Sequence, residues 1–128
     1  MIITVKGKVS SGLGDGKRFI QLPWIKKYVQ RKFGFDPYPG TLNLCLPSNA
    51  QIFLLLKKNG GMRISAKGDF ASGRFYKALI AGKIHGAIVR PEVSGYPENL
   101  LEVLAPINLR EKLRLKDGDE LKVKVWLK

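Results

Sequence analysis

The sequence predicts a mainly β, barrel-like domain, and three observations carry that expectation. Apolar and polar residues alternate with the period of a half-buried strand at both ends of the chain, in ITVKGKV (residues 3–9) and in ELKVKVWL (residues 120–127). Between them run several short strand-like segments punctuated by Gly68, Gly73 and Gly82. Only PWIKKYVQRKF, Pro23–Phe33, has the apolar spacing of a long helix. Six or seven strands around one main helix, without the strand–helix alternation of a parallel sheet, argue a barrel.

In the first strand Ile3, Val5, Gly7 and Val9 fall on one side, with Thr4, Lys6 and Lys8 on the other. SGLGDGKRF (residues 11–19) follows as a glycine-rich loop with two adjacent cations. In the helix, Ile25, Tyr28, Val29 and Phe33 share a face, Pro23 suits the first turn and Gly34 lies just past the end. DPYPG (residues 36–40) is a turn by its proline and glycine content, and GTLNLCL (residues 40–46) returns to strand alternation. QIFLLLKK (residues 51–58) fits a short helix and the NGG after it a turn. Strand candidates then span residues 63–70, 74–81, 84–90 and 100–104. LREKL (residues 109–113) suggests one helical turn and KDGD (residues 116–119) a tight turn; the last strand puts Leu121, Val123, Val125 and Leu127 on one face.

With 128 residues the chain reads as a single domain, 1–128, able to bury roughly two thirds of its unfolded surface. Its hydrophobic fraction of 45% and charged fraction of 26% are those of a globular protein. No run approaches the ~20 apolar residues of a membrane span. The first residues lack the basic and apolar regions of an export signal, so a cytoplasmic location is expected. Cys45 and His85 are the only cysteine and histidine, which excludes a disulfide framework or a cysteine/histidine zinc site within one chain. His85, among strand-forming neighbours, reads as structural or solvent-facing. A net charge of +13 attracts polyanions, which leaves nucleic acid and nucleoside triphosphate both open.

Three constellations can carry chemistry. SGLGDGKRF fits neither common phosphate template: Gly12 and Gly16 enclose three residues where GxxxxGK needs four, and GxGxxG would put its last glycine on Lys17. Its glycines still permit backbone amides to face an anion, with Lys17 and Arg18 to neutralise it; a hairpin connection with solvated charges reads equally well. In GTLNL, strand alternation sends Leu42, Leu44 and Leu46 to the core and brings Thr41 and Asn43 out together. Two neutral oxygen donors there suit Mg²⁺, which completes its shell with waters and phosphates; a merely polar outer face is the alternative. Glu102 interrupts the apolar run NLLEVLAP on the face of Leu100 and Leu104. It is either an acceptor for a bound hydroxyl or a solvated residue on an edge strand.

These residues in this order resemble the archaeal CTP-dependent riboflavin kinases. The resemblance runs from the first strand and SGLGDGKRF, through GFDPYPGTLNL, to HGAIVRP, LLEVLAPINLRE and LKDGDELKV; residues 47–70 carry no motif. It implies a six-stranded cradle-loop barrel with one main helix and short helical turns. It also implies transfer of the CTP γ-phosphoryl group to the 5′-hydroxyl of riboflavin, giving FMN and CDP, with one Mg²⁺ bound with the nucleotide. By the same resemblance, nucleotide contacts fall on Leu13, Gly14, Asp15, Gly16, Lys17 and Arg18, and on Ile107, Asn108, Leu109 and Arg110. Thr41 and Asn43 match the metal ligands, and Ser94 and Glu102 the flavin contacts, Glu102 as a base or hydroxyl orienter. Ser94 stands where the family commonly has threonine, keeping the hydroxyl and losing a methyl. The expected partners are thus riboflavin/FMN and CTP/CDP, acting on a monomer without membrane or nucleic acid. The competing reading is a basic β-barrel that binds nucleic acid without catalysis.

Overall fold

The computed structural model describes residues 1–11, 21–47, 61–64, 73–91 and 96–127. Its strands are β1 (Ile2–Ser10), β2 (Leu42–Cys45), β3 (Met62–Ile64), β4 (Gly73–Ile80), β5 (Ile84–Pro91), β6 (Leu100–Leu104) and β7 (Glu120–Trp126). Two helices accompany them among the described residues, α1 (Pro23–Phe33) and α2 (Leu109–Leu113). The strand order is β3-β4-β5-β6-β2-β1-β7, and β7 pairs back onto β4, so six antiparallel strands close into a barrel. β3 lies outside that ring as a short extension paired with one end of β4. The expected six-stranded barrel is therefore present, with a seventh strand appended.

Two apolar cores explain the hydrophobic pattern. Alternate residues of β1, β2, β6 and β7, among them Val5, Val9, Leu42, Leu44, Leu101, Val103, Val123 and Val125, fill the barrel interior. On the outside, α1 lays Ile25 and Val29 over Phe75, Ala87, Val89 and Leu104. β5 and β6 are covered on both faces where α1 sits, which is why GAIV and LLEVL read as nearly continuous apolar runs instead of alternating. Tyr28 and Phe33 of α1 pack their rings on Phe75 at centroid distances of 5.6 and 6.0 Å.

The helix bounds follow from backbone chemistry. Pro23 opens α1 where its missing N–H costs nothing, and the Leu22 carbonyl accepts from Ile25 and Lys26 N–H. Gly34 ends it in the left-handed region, φ +76°, donating to Gln30 O at 3.1 Å. Close strand approach depends on two glycines. A Cβ on Gly7 would lie 2.8 Å from the Cys45 carbonyl oxygen, and one on Gly86 would overlap the carbonyl oxygen of Leu104. Of the strand candidate at 63–70, residues 63 and 64 fall in β3 and the rest lie outside the described residues, as does the helix candidate at 51–58. His85 is exposed, the solvent-facing one of its two readings. No helix among the described residues is long and apolar enough to cross a membrane.

Candidate active site

One row of paired residues crosses the outer face of five strands: Phe75 opposite Val89, Val89 opposite Glu102, Glu102 opposite Asn43, and Asn43 opposite Ser10. The row begins under α1 in apolar packing and ends at the last residue of β1, where the glycine loop departs. Its centre holds two polar residues, Glu102 at 0% exposure and Asn43 at 8%. β6 lies between β5 and β2, so Glu102 is no solvated residue of an edge strand, and that alternative falls. Nor is the outer face of β2 simply a polar surface, because Asn43 is buried on it.

A buried carboxylate needs hydrogen bonds on its oxygens. Thr41 Oγ1 donates to Glu102 Oε1 at 2.7 Å and Tyr96 OH donates to Oε2 at 2.6 Å. Thr41 stands immediately before β2, in a chain that the DPYPG turn brings in by Tyr38 N–H donating to Ala105 O at 2.9 Å. The same turn sets Tyr38 against α2, whose cap Asn108 donates from Nδ2 to Tyr38 OH at 3.1 Å and accepts from Glu111 N–H at 3.2 Å. Between them opens a cavity of about 150 Å³ lined by Thr41 together with Ile107, Asn108, Leu109 and Arg110. The whole second candidate nucleotide segment thus shares one recess with a candidate metal ligand.

Arg110 links this recess to the glycine loop. Its Nη2 donates to Ser10 O at 3.1 Å and to Ser11 Oγ at 3.0 Å, at the point where β1 gives way to the loop. Ser10 Oγ also lies 3.2 Å from Cys45 Sγ, on the strand that carries Asn43. The structure therefore brings together Thr41, Asn43, Glu102, Ile107, Asn108, Leu109 and Arg110. Leu13, Gly14, Asp15, Gly16, Lys17, Arg18 and Ser94 lie outside the described residues.

Among the described residues no cluster of three or more histidine, cysteine or acidic groups could hold a metal by itself. What stands here is a hydroxyl and an amide oxygen beside one carboxylate. Neutral hard donors of that kind fit a Mg²⁺ ion that takes its remaining ligands from water and a nucleotide's phosphates. Two residues of this neighbourhood escaped sequence reading. Tyr96 is the sole aromatic in SGYPE, and nothing in its local pattern points six residues ahead to Glu102. Asp117, which binds both Arg110 and Ser11, is 106 residues from the latter.

Fold and site together define a small closed-barrel domain with a recess whose apolar wall carries a hydroxyl, an amide and a guanidinium group, beside the buried carboxyl group of Glu102. Residues 9–125 match the family model CTP-dep_RFKase, described as domain of unknown function DUF120, and the chain belongs to that family. It is 42% identical over 130 residues to the riboflavin kinase of Archaeoglobus fulgidus, covering 98% of this chain and 55% of that protein. It is 38% identical to the riboflavin kinase of Methanosarcina barkeri, covering 97% and 57%. The match to the riboflavin kinase of Saccharolobus solfataricus is 36%, covering 98% and 75%. The chain spans little more than half the length of the first two relatives.

Proposed function

We propose that the chain is a CTP-dependent riboflavin kinase domain, which transfers the γ-phosphoryl group of CTP to the ribityl 5′-hydroxyl of riboflavin and releases FMN and CDP. The observation that carries this reading is Glu102, fully buried yet bonded to Thr41 and Tyr96, beside the recess formed by Thr41 and residues 107–110. Family membership and the names of the relatives support it.

Phosphoryl transfer asks chiefly for alignment and charge neutralisation, so it needs no nucleophilic side chain from the protein. The ribityl oxygen forms a bond to the γ-phosphorus while the bond from that phosphorus to the bridging oxygen breaks, and CDP leaves with the electron pair. The hydroxyl proton passes to the Glu102 carboxylate, which orients the hydroxyl beforehand. Both Glu102 oxygens already hold donors, so the substrate hydroxyl shares an oxygen with Thr41 or Tyr96, or displaces one of them. In this reading Leu13, Gly14, Asp15, Gly16, Lys17 and Arg18 bind the triphosphate together with Ile107, Asn108, Leu109 and Arg110. Ser94 joins Glu102 on the flavin. Bound with the nucleotide and held by Thr41 and Asn43, one Mg²⁺ would neutralise phosphate charge. The domain works as a cytoplasmic monomer in this reading; a dimer in sedimentation would revise it.

The test incubates the protein with riboflavin, Mg²⁺ and each nucleoside triphosphate in turn and follows FMN by chromatography. FMN formed with CTP at the highest rate is the expected result. No FMN with any nucleotide sinks the kinase reading, and equal rates with ATP sink the CTP preference. The nucleic-acid alternative keeps one observation in its favour, an exposed β1–β7 face where Lys6 stands opposite Lys122 and Lys124 opposite Thr4. Salt-sensitive DNA binding without kinase activity would promote it.

A further inference from the structure

The KDGD turn (residues 116–119) has no part in the chemistry proposed above, yet it is bonded into the site. Gly118 N–H donates to Val9 O and Val9 N–H to Asp119 O, both at 2.8 Å, which docks the turn on the end of β1. Asp119 braces the turn from within, accepting from Lys116 N–H at 2.7 Å. Asp117 is thereby left facing the first residue after β1. Its carboxylate accepts from Ser11 Oγ at 2.8 and 2.9 Å and from Arg110 Nη2 at 2.6 Å. Since the same Arg110 nitrogen also reaches Ser10 O and Ser11 Oγ, three chain segments meet on one carboxylate. The bonds from Arg110 and then Ser11 hold Asp117 below the ordinary carboxylate range, so it is charged at neutral pH.

Stability is a poor reason for such an arrangement. The Arg110 and Asp117 side chains are 36% and 60% exposed, and pairs that exposed contribute little. What the bonds fix is direction. A planar guanidinium anchored through one nitrogen presents its remaining donors in a set plane, and Arg110 lines the recess shared with Thr41. Ser11, held at the same point, is the last residue before the glycine-rich segment.

We propose that Asp117 is a positioning residue of the nucleotide site: by anchoring one nitrogen of the Arg110 guanidinium, it sets the remaining donors to receive the phosphates of a nucleoside triphosphate. This rests on the reading that Arg110 binds the nucleotide.

The experiment measures CTP affinity with Mg²⁺ by calorimetry and riboflavin affinity by quenching of flavin fluorescence, on the full chain and on Asp117→Ala, Asp117→Glu, Arg110→Ala and the Asp117→Ala/Arg110→Ala pair. Asp117→Ala is expected to weaken CTP about tenfold and leave riboflavin within about twofold, with Asp117→Glu recovering part of the loss. In the Arg110→Ala background the Asp117 change should add less than about twofold, because its effect runs through Arg110. Unchanged CTP affinity in Asp117→Ala overturns the proposal while leaving the kinase reading standing. Equal losses for CTP and riboflavin, or fully additive losses in the pair, overturn it too, since they mark a merely structural part. If the unaltered chain binds no CTP, the nucleotide reading falls and this proposal falls with it.

Discussion

The row Phe75–Val89–Glu102–Asn43–Ser10 has two halves that sit on the same sheet face and obey opposite rules. Its first half is sealed by α1 and gains from every apolar contact; Phe75 and Val89 are wholly buried there. In the second half Glu102 and Asn43 are buried almost as deeply, but they are polar, and Glu102 is held by directed hydrogen bonds from Thr41 and Tyr96. Burial alone therefore does not separate scaffold from site. The difference is that truncating a residue in the first half opens a cavity, whereas truncating one in the second leaves the barrel packed and a hydrogen-bonding geometry broken.

The largest expected effect lies in the apolar half: Phe75→Ala should lower unfolding free energy by about 3–5 kcal/mol in urea titration. A loss under about 1 kcal/mol would erase the distinction between the halves. Next comes Glu102→Gln, which keeps shape but removes the proton acceptor. FMN formation should fall about 100-fold while the melting temperature moves by only a few degrees; a normal rate would remove Glu102 from the chemistry. Asn43→Ala should slow turnover about tenfold, recover in part at high Mg²⁺, and leave riboflavin affinity unaltered; a rate indifferent to Mg²⁺ concentration takes it out of the metal site. Tyr96→Phe removes one donor to Glu102 and should cost about threefold in turnover without touching CTP affinity.

The smallest effect is a matter of pH. Asp117 is held below the ordinary 3.8, chiefly by the hydrogen bond from Arg110. A depressed carboxylate favours the folded state above its unfolded pKa, and that contribution disappears as pH falls through the folded value. Parent and Asp117→Asn should therefore differ slightly in thermal stability at neutral pH and converge in strong acid. A gap that widens below pH 3.8 would contradict the hydrogen bonds assigned to Asp117.

Much of this architecture was legible in local pattern. α1 starts and stops where Pro23 and Gly34 say it does, because both act through the backbone of the residues beside them. LLEVL and LREKL were bounded correctly as well, and the alternation in GTLNLCL rightly sent Leu42, Leu44 and Leu46 inward. Less legible was what covers a strand's second face. Glu102 could be an edge residue or a buried acceptor until β5 and β2 are seen on either side of it. Contacts made by closure of the barrel were hidden altogether: Asp117 meets Ser11 because β7 and β1 pair along their length. Tyr96 was equally invisible, since its distance from Glu102 is set by the path of the chain before β6.

Glu102 occupies the middle of β6, a strand hydrogen-bonded on both sides within a ring that closes on itself. The amides flanking it can exchange with solvent only when much of the ring opens, so their protection approaches that of global unfolding. Whatever grips Glu102 then stabilises the entire molecule in proportion to its affinity. Riboflavin added to the protein should raise its melting temperature as a logarithmic function of concentration, and slow deuterium uptake across β2, β5 and β6 at once.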